Sequence, residues 1–177
     1  MPMRIAIDGT MSSGKTTLFA QLRRWPSAEQ FNFVPEASRA VAAEFSVKSS
    51  EDWEKLLAEP ARLNAFFDRE EDWLAAHESE HCIVDSSFYL IQTYKRVFAN
   101  VPIIEKPIWP TYDLVLFCEP LEKGQEDGFR FLHGRIEISE VYLRHRERFR
   151  VSKFCDLAPS ADRAIIASKI IDRLIEQ

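Results

Sequence analysis

The strongest constraint on this chain is one short run, Gly9-Thr10-Met11-Ser12-Ser13-Gly14-Lys15-Thr16. It is a full match to G-x-x-x-x-G-K-[ST], and it lies in the context that gives that pattern physical meaning. Ahead of it, residues 4–8 (RIAID) are apolar and rich in β-branched side chains; behind it, Leu18, Phe19 and Leu22 recur at helical spacing within residues 15–25. A strand, a glycine-bounded loop and a helix in this order let successive N–H groups curl around a phosphate chain at the positive end of a helix. Lys15 can reach the β and γ phosphates, and the Thr16 hydroxyl suits a Mg²⁺ position. ATP with Mg²⁺ is therefore the expected ligand, held by Gly9, Met11, Ser12, Ser13, Gly14, Lys15, Thr16 and Thr17.

At 177 residues the chain is long enough for one domain, and a single domain over 1–177 is expected. Residues 31–34 read as a second strand ending at Pro35, followed by helices over 38–45 and 53–57. Residues 61–80 keep a helical period through Leu63, Phe66, Phe67, Trp73 and Leu74, with the acids expected on the other face. A strand over 82–85, a helix over 88–98 and a proline-marked connector come next. Residues 113–118 form a strand without polar alternation, as in a parallel strand covered on both faces. A polar loop over 119–134, a basic helix over 135–149, a strand over 152–157 and a helix over 160–175 complete the chain. Strands alternating with helices predict an α/β fold in three layers, about five parallel strands with helices on both faces and a lid at about 119–150. Ligands then bind beyond the carboxyl ends of the strands.

That edge singles out further residues. Asp85, ending the third strand, can hold Mg²⁺ directly or through water; its ordinary alternative is to cap the following helix, a task open also to Ser86 and Ser87. Glu36, just after the second strand, can accept a proton from an attacking hydroxyl, or it is merely a first-turn glutamate. Only five glycines occur, Gly9 and Gly14 in the first loop and Gly124, Gly128 and Gly134 together. The second group hinges a segment carrying Arg130 and Arg135, which can neutralise charge on a transferred phosphoryl group and exclude water. The arginines at 144, 146, 148 and 150 read as a solvated face. Arg62, Asn64 and Arg69 become substrate contacts only if their helix borders the cleft. Phe66, Phe67, Trp73 and Tyr89 are more simply core than a stacking face. The four histidines lack metal-ligand spacing.

Charge and cysteines exclude several classes. The net charge of −5 disfavours a nucleic-acid-coating protein, although residues 130–150 hold six arginines against three glutamates and suit a small anion. Cys82, Cys118 and Cys155 are scattered and odd in number, as expected of reduced, buried thiols in the cytoplasm. Neither a signal peptide nor a membrane span is expected.

RIAIDGTMSSGKTTL, FVPEASRAV, IVDSS, YDLVLFCEP and EDGFRF together resemble the P-loop nucleoside and nucleotide kinase superfamily. The likeness is greatest to the AAA-like ATP-binding family allied with the nicotinamide riboside kinase domain. The resemblance implies an NMP-kinase-like fold and transfer of the ATP γ-phosphoryl group to a nucleoside-like or nucleotide acceptor. It also implies that Glu36 is the base, as in deoxynucleoside kinases, and that Asp127, in the Asp127-Gly128-x-Arg130 pattern, lies near the substrate. Where such kinases carry an arginine after the third strand, this chain has Asp85-Ser86-Ser87; Arg39 or a lid arginine is expected to stand in. Two rivals remain: an ATPase or nucleotide-binding module without a small acceptor, and a kinase acting on a modified base or end in nucleic acid. A homodimer is admitted.

Overall fold

The computed structural model describes residues 2–103, 109–121 and 134–177. Five strands, β1 (Met3–Gly9), β2 (Asn32–Val34), β3 (His81–Asp85), β4 (Leu114–Cys118) and β5 (Phe154–Leu157), form one sheet in the order β2-β3-β1-β4-β5. Every pairing is parallel, with Ile7 opposite both Asp85 and Leu116. Around the sheet run α1 (Lys15–Leu22), α2 (Ala37–Val41), α3 (Ser50–Leu57), α4 (Pro60–His77), α5 (Phe88–Phe98), α6 (Arg135–His145) and α7 (Arg163–Ile175). This is the expected three-layer P-loop kinase fold.

The layering follows from the two-residue repeat of a strand. Ile5 and Ile7 of β1, Ile83 of β3 and Leu114 and Leu116 of β4 face one side, where Leu18 and Leu22 of α1 and Ala167 and Ile171 of α7 cover them. Ala6, Val84, Val115 and Phe117 face the other, beneath a core that includes Phe66 of α4, Leu90 of α5 and Tyr142 of α6. Both faces are dry, so the strands need no polar alternation. Central β1 has β3 on one side and β4 on the other, and the crevice at its carboxyl end is the switch point where such sheets take ligands.

Several expected boundaries move for local reasons. The first helix stops at Leu22 and hands over to a tight turn before Pro26, which cannot extend it. The helix expected over 53–57 starts at Ser50, because Ser49 and Asp52 close a capping box. The helix expected over 38–45 becomes 3₁₀ from Ala42 and ends at Ser46, φ 59°. The basic helix gives way to a 3₁₀ turn, Arg146–Arg148. Two further expectations need correction. The acids of α4 are not all on its solvent face: Glu70 and Glu71 are buried. Cys155 is half-exposed because β5 is an edge strand, while Cys82 and Cys118 are buried; all three are free thiols.

Candidate functional site

At the carboxyl end of β1 the chain turns through Gly9 at φ 142° and Ser12 at φ 55°, and enters α1 through Gly14 at φ 89°. A Cβ on Gly9 would stand 2.5 Å from the Cys118 carbonyl oxygen and 2.7 Å from Ser13 Oγ. The loop is thus pressed against the end of β4, which only glycine allows. The first N–H groups of α1 have no intrahelical acceptor and form the positive end of that helix at the loop. Ser13 Oγ is buried and has no hydrogen-bond partner among the described residues, as fits a group that awaits a ligand oxygen. Lys15 is 2% exposed, and its Nζ donates to the Thr10 carbonyl at 3.0 Å, which ties up one of its three N–H bonds. Thr16 and Thr17 are exposed on the first turn.

A buried network supports this loop. Asp8, fully buried, accepts from the Ser87 backbone N–H at 2.7 Å and from Ser87 Oγ at 2.6 Å, and also from the Tyr142 hydroxyl. Burial pushes the Asp8 carboxyl above its ordinary range; these hydrogen bonds and then Lys15 pull the other way. Arg163, on α7, donates to the carbonyls of Ser13 (2.5 Å), Leu157 (2.9 Å), Ala158 (3.1 Å) and Glu119 (3.3 Å). One guanidinium therefore locks the phosphate loop to the chain leaving β4 and β5. The Cys118 thiol, raised to about 11 chiefly by burial, is felt by Arg163, Lys15, Asp85 and Asp8, which places these charges around one strand end.

Asp85 ends β3, is 1% exposed, and lies in register with Ile7. It is not the cap of α5, because Ser87 Oγ accepts from Leu90 N at 3.3 Å. Ser86 between them adopts φ 84°, and its buried Oγ has no hydrogen-bond partner among the described residues. A β-carbon residue held in that conformation stores strain, which concentrates at functional positions.

Beside the loop lies a cavity of about 660 Å³ of empty space, part of it open to solvent. Met11, Glu36 and Ser86 form its floor, and Trp53 of α3, Phe67 and Glu70 of α4, and Tyr94 and Phe98 of α5 contribute to its walls. Glu36 is the residue before α2 and makes no side-chain cap bond to it; its carboxylate is 3.5 Å from Arg39 Nε. The structure therefore brings Glu36 to the same cavity as the phosphate loop. It also answers whether α4 borders a cleft: it does, through Leu63, Phe67 and Glu70. Arg62 instead bonds Glu59 and the Phe45 carbonyl, Arg69 pairs with Glu44, and Asn64 donates to Asp68. Of the rings weighed for stacking, Phe67 reaches the cavity, whereas Phe66 and Tyr89 are fully buried core. Arg135 opens α6 beside Gly134, φ 77°. Arg130, Asp127, Gly124 and Gly128 lie outside the described residues.

Sequence reasoning passed over Asp8, Glu70, Ser86, Tyr142 and Arg163. Two had a signal: Asp8 is an acid inside an apolar strand, and Glu70 stands three residues after Phe67 and four before Leu74, on the apolar stripe. Arg163 had none, since its partners are backbone carbonyls, two of them, those of Ser13 and Glu119, distant in sequence.

A family model described as an AAA domain matches residues 4–158. No curated protein sequence matches the chain. Among solved structures, the NadR protein in complex with NR superposes with a TM-score of 0.62 at 18% identity, over 97% of this chain and 51% of that one. The chain thus spans about half the length of that protein. Deoxyadenosine kinase from M. mycoides with bound dCTP gives 0.63 at 13% identity, over 99% and 100%. Shikimate kinase from Acinetobacter baumannii in complex with shikimate gives 0.57 at 11% identity, over 98% and 93%. What is shared at these identities is the fold.

Proposed function

The chain belongs to the AAA domain family, and from that premise we propose that it is an ATP- and Mg²⁺-dependent kinase transferring the γ-phosphoryl group to a small nucleoside-like or nucleotide acceptor. The observation that carries this reading is that Met11 of the phosphate loop and Glu36 line one aromatic-walled cavity. A motor-like ATPase has no use for an aromatic-walled cavity beside the phosphate loop. The breadth of acceptors among the fold's neighbours, shikimate included, means that the fold does not choose among them.

In this mechanism the loop amides and Lys15 hold the ATP phosphates, and Glu36 accepts the proton of the acceptor hydroxyl as its oxygen attacks the γ phosphorus. The bond from the γ phosphorus to its bridging oxygen breaks, and ADP departs with that oxygen. Thr16 and Asp85 are the hard oxygen donors that would hold Mg²⁺, and the ion would neutralise phosphate charge there. Arg130 and Arg135 are assigned to charge neutralisation during transfer and Arg39 to orienting Glu36; of the lid expected at about 119–150, α6 and Phe149 belong instead to the core through Ile138, Tyr142 and Phe149. Asp127 keeps its proposed place near the acceptor; Arg62, engaged elsewhere, is set aside as a contact.

The test supplies radiolabelled ATP with a panel of nucleosides, monophosphates, nicotinamide riboside and oligonucleotides. Label on one small acceptor supports the reading; rapid ATP hydrolysis without an acceptor replaces it with the ATPase, and label on oligonucleotides replaces it with nucleic-acid end or base phosphorylation. Glu36→Gln is expected to lower transfer by about 10²–10⁴-fold with ATP affinity unchanged. Retained turnover removes Glu36 from the mechanism.

A further inference from the structure

The cavity contains a charge-bearing group that the mechanism does not use. Glu70 is 3% exposed, lines the cavity from α4, and makes no hydrogen bond or ion pair with any described residue. The carboxyls around it are accounted for. Glu36 is paired with Arg39; Glu71 accepts from Gln92 and from Lys95 Nζ at 3.2 Å; Lys95 also bonds Asp68 at 2.6 Å. Lys95 is thus spent on the acids flanking Glu70. A carboxyl largely withdrawn from bulk water, with no partner in the protein and facing a cavity, is suited to a ligand that completes its hydrogen bonds.

We propose that Glu70 is a specificity-determining residue of this cavity, bonding a planar edge on the acceptor ring in which a hydrogen-bond donor stands beside an acceptor. The inference rests on the cavity being the acceptor site. Amide, lactam and amidine edges all have that pattern, and a protonated carboxyl complements it with one O–H and one C=O. Burial first, then the charges of Glu36 and Glu71, push the Glu70 carboxyl well above its ordinary range, against a smaller pull from Lys95. A carboxyl raised in this way can be kept neutral, so that it donates as well as accepts. Phe67 and Trp53, on the same cavity, supply faces for the ring that carries the edge. Such a site rejects rings lacking the edge, because Glu70 would then stay buried and unpaired.

Calorimetric binding of three matched pairs tests this: adenosine and inosine each against purine riboside, and nicotinamide riboside against pyridine riboside. In at least one pair the edge-bearing member is expected to bind about 10- to 100-fold more tightly. Glu70→Gln, which keeps donor beside acceptor, should preserve that preference, and Glu70→Leu should reduce it to about threefold or less, both variants melting as folded proteins. The wild-type preference should weaken as pH rises through the Glu70 titration, while the Gln variant stays flat. A preference surviving in Glu70→Leu, equal binding within every pair, or binding of no probe overturns the proposal. Equal binding of the two pyridinium ribosides alone would mean that ring charge is what is read in that pair, and sinks the edge there. Phosphoryl transfer is scored separately with labelled ATP: binding preference without transfer removes the kinase reading and leaves Glu70 as an edge reader, whereas transfer indifferent to Glu70 does the reverse.

Discussion

Replacing Glu78 by Gln should make the protein more stable above neutral pH and leave it nearly unchanged at pH 5. Glu78 follows α4 and accepts a hydrogen bond from Tyr112 Oη, near the amino edge of the sheet. Burial raises its carboxyl from 4.5 to about 7, outweighing the Tyr112 hydrogen bond and the attraction of Arg4, which pull it down. The folded protein therefore holds a proton between pH 4.5 and 7 that the unfolded chain has released. Its stability contribution is fully present below 4.5 and is lost as pH rises through 7. At about 1.4 kcal/mol per pH unit of separation, the loss comes to about 3.5 kcal/mol once Glu78 is ionised in both states, a part of it already incurred by pH 5. Glutamine cannot ionise, yet its Oε1 still accepts from Tyr112. Other buried acids, Asp8 and Glu70 among them, are common to both proteins and cancel in the difference. Urea denaturation at pH 5 and pH 8 should thus show the variant gaining about 2–3 kcal/mol on wild type between the two, or about 5–10 °C in Tm. Stability curves that run parallel from pH 5 to pH 8 would refute the argument.

Two further substitutions probe the phosphate loop. Gly9→Ala forces a Cβ to within 2.5 Å of a backbone carbonyl at φ 142°; a cost of about 2–4 kcal/mol and at least tenfold weaker ATP binding are expected, read by thermal melting and nucleotide titration. Arg163→Ala removes the guanidinium hydrogen bonds to four carbonyls and should cost about 3 kcal/mol, a fall of about 6–12 °C in Tm. Arg163→Lys should recover only part of it, since an ammonium cannot reproduce the guanidinium fork.

The chain's own order of residues determined the sheet architecture and the phosphate loop, because both are local. Strand, loop and helix adjoin in sequence, and an apolar run that lacks alternation has to be covered on both faces whatever covers it. Glu36 and Asp85 stood out for the same reason, Asp85 closing a strand and Glu36 following one after a single proline. Helix ends were less so, since they depend on single caps such as Ser49 and on stops such as Pro26.

What the tertiary structure alone decided is which distant side chains meet. Arg163 is 150 residues from Ser13, and Tyr142 reaches Asp8 across the sheet end. The cavity beside the phosphate loop is assembled from Met11 of that loop, Ser86 after β3, the start of α2, and α3, α4 and α5, segments that no local pattern in the sequence brings together. Glu70 shows the difference within one residue. Its helical phase placed it on the apolar stripe from the start, but only the packing of α4 against α3 and α5 set it into the cavity with no partner from the protein. Local sequence specifies conformation through short-range sterics and hydrogen bonding; desolvation and pairing are sums over neighbours that become adjacent only when the chain folds.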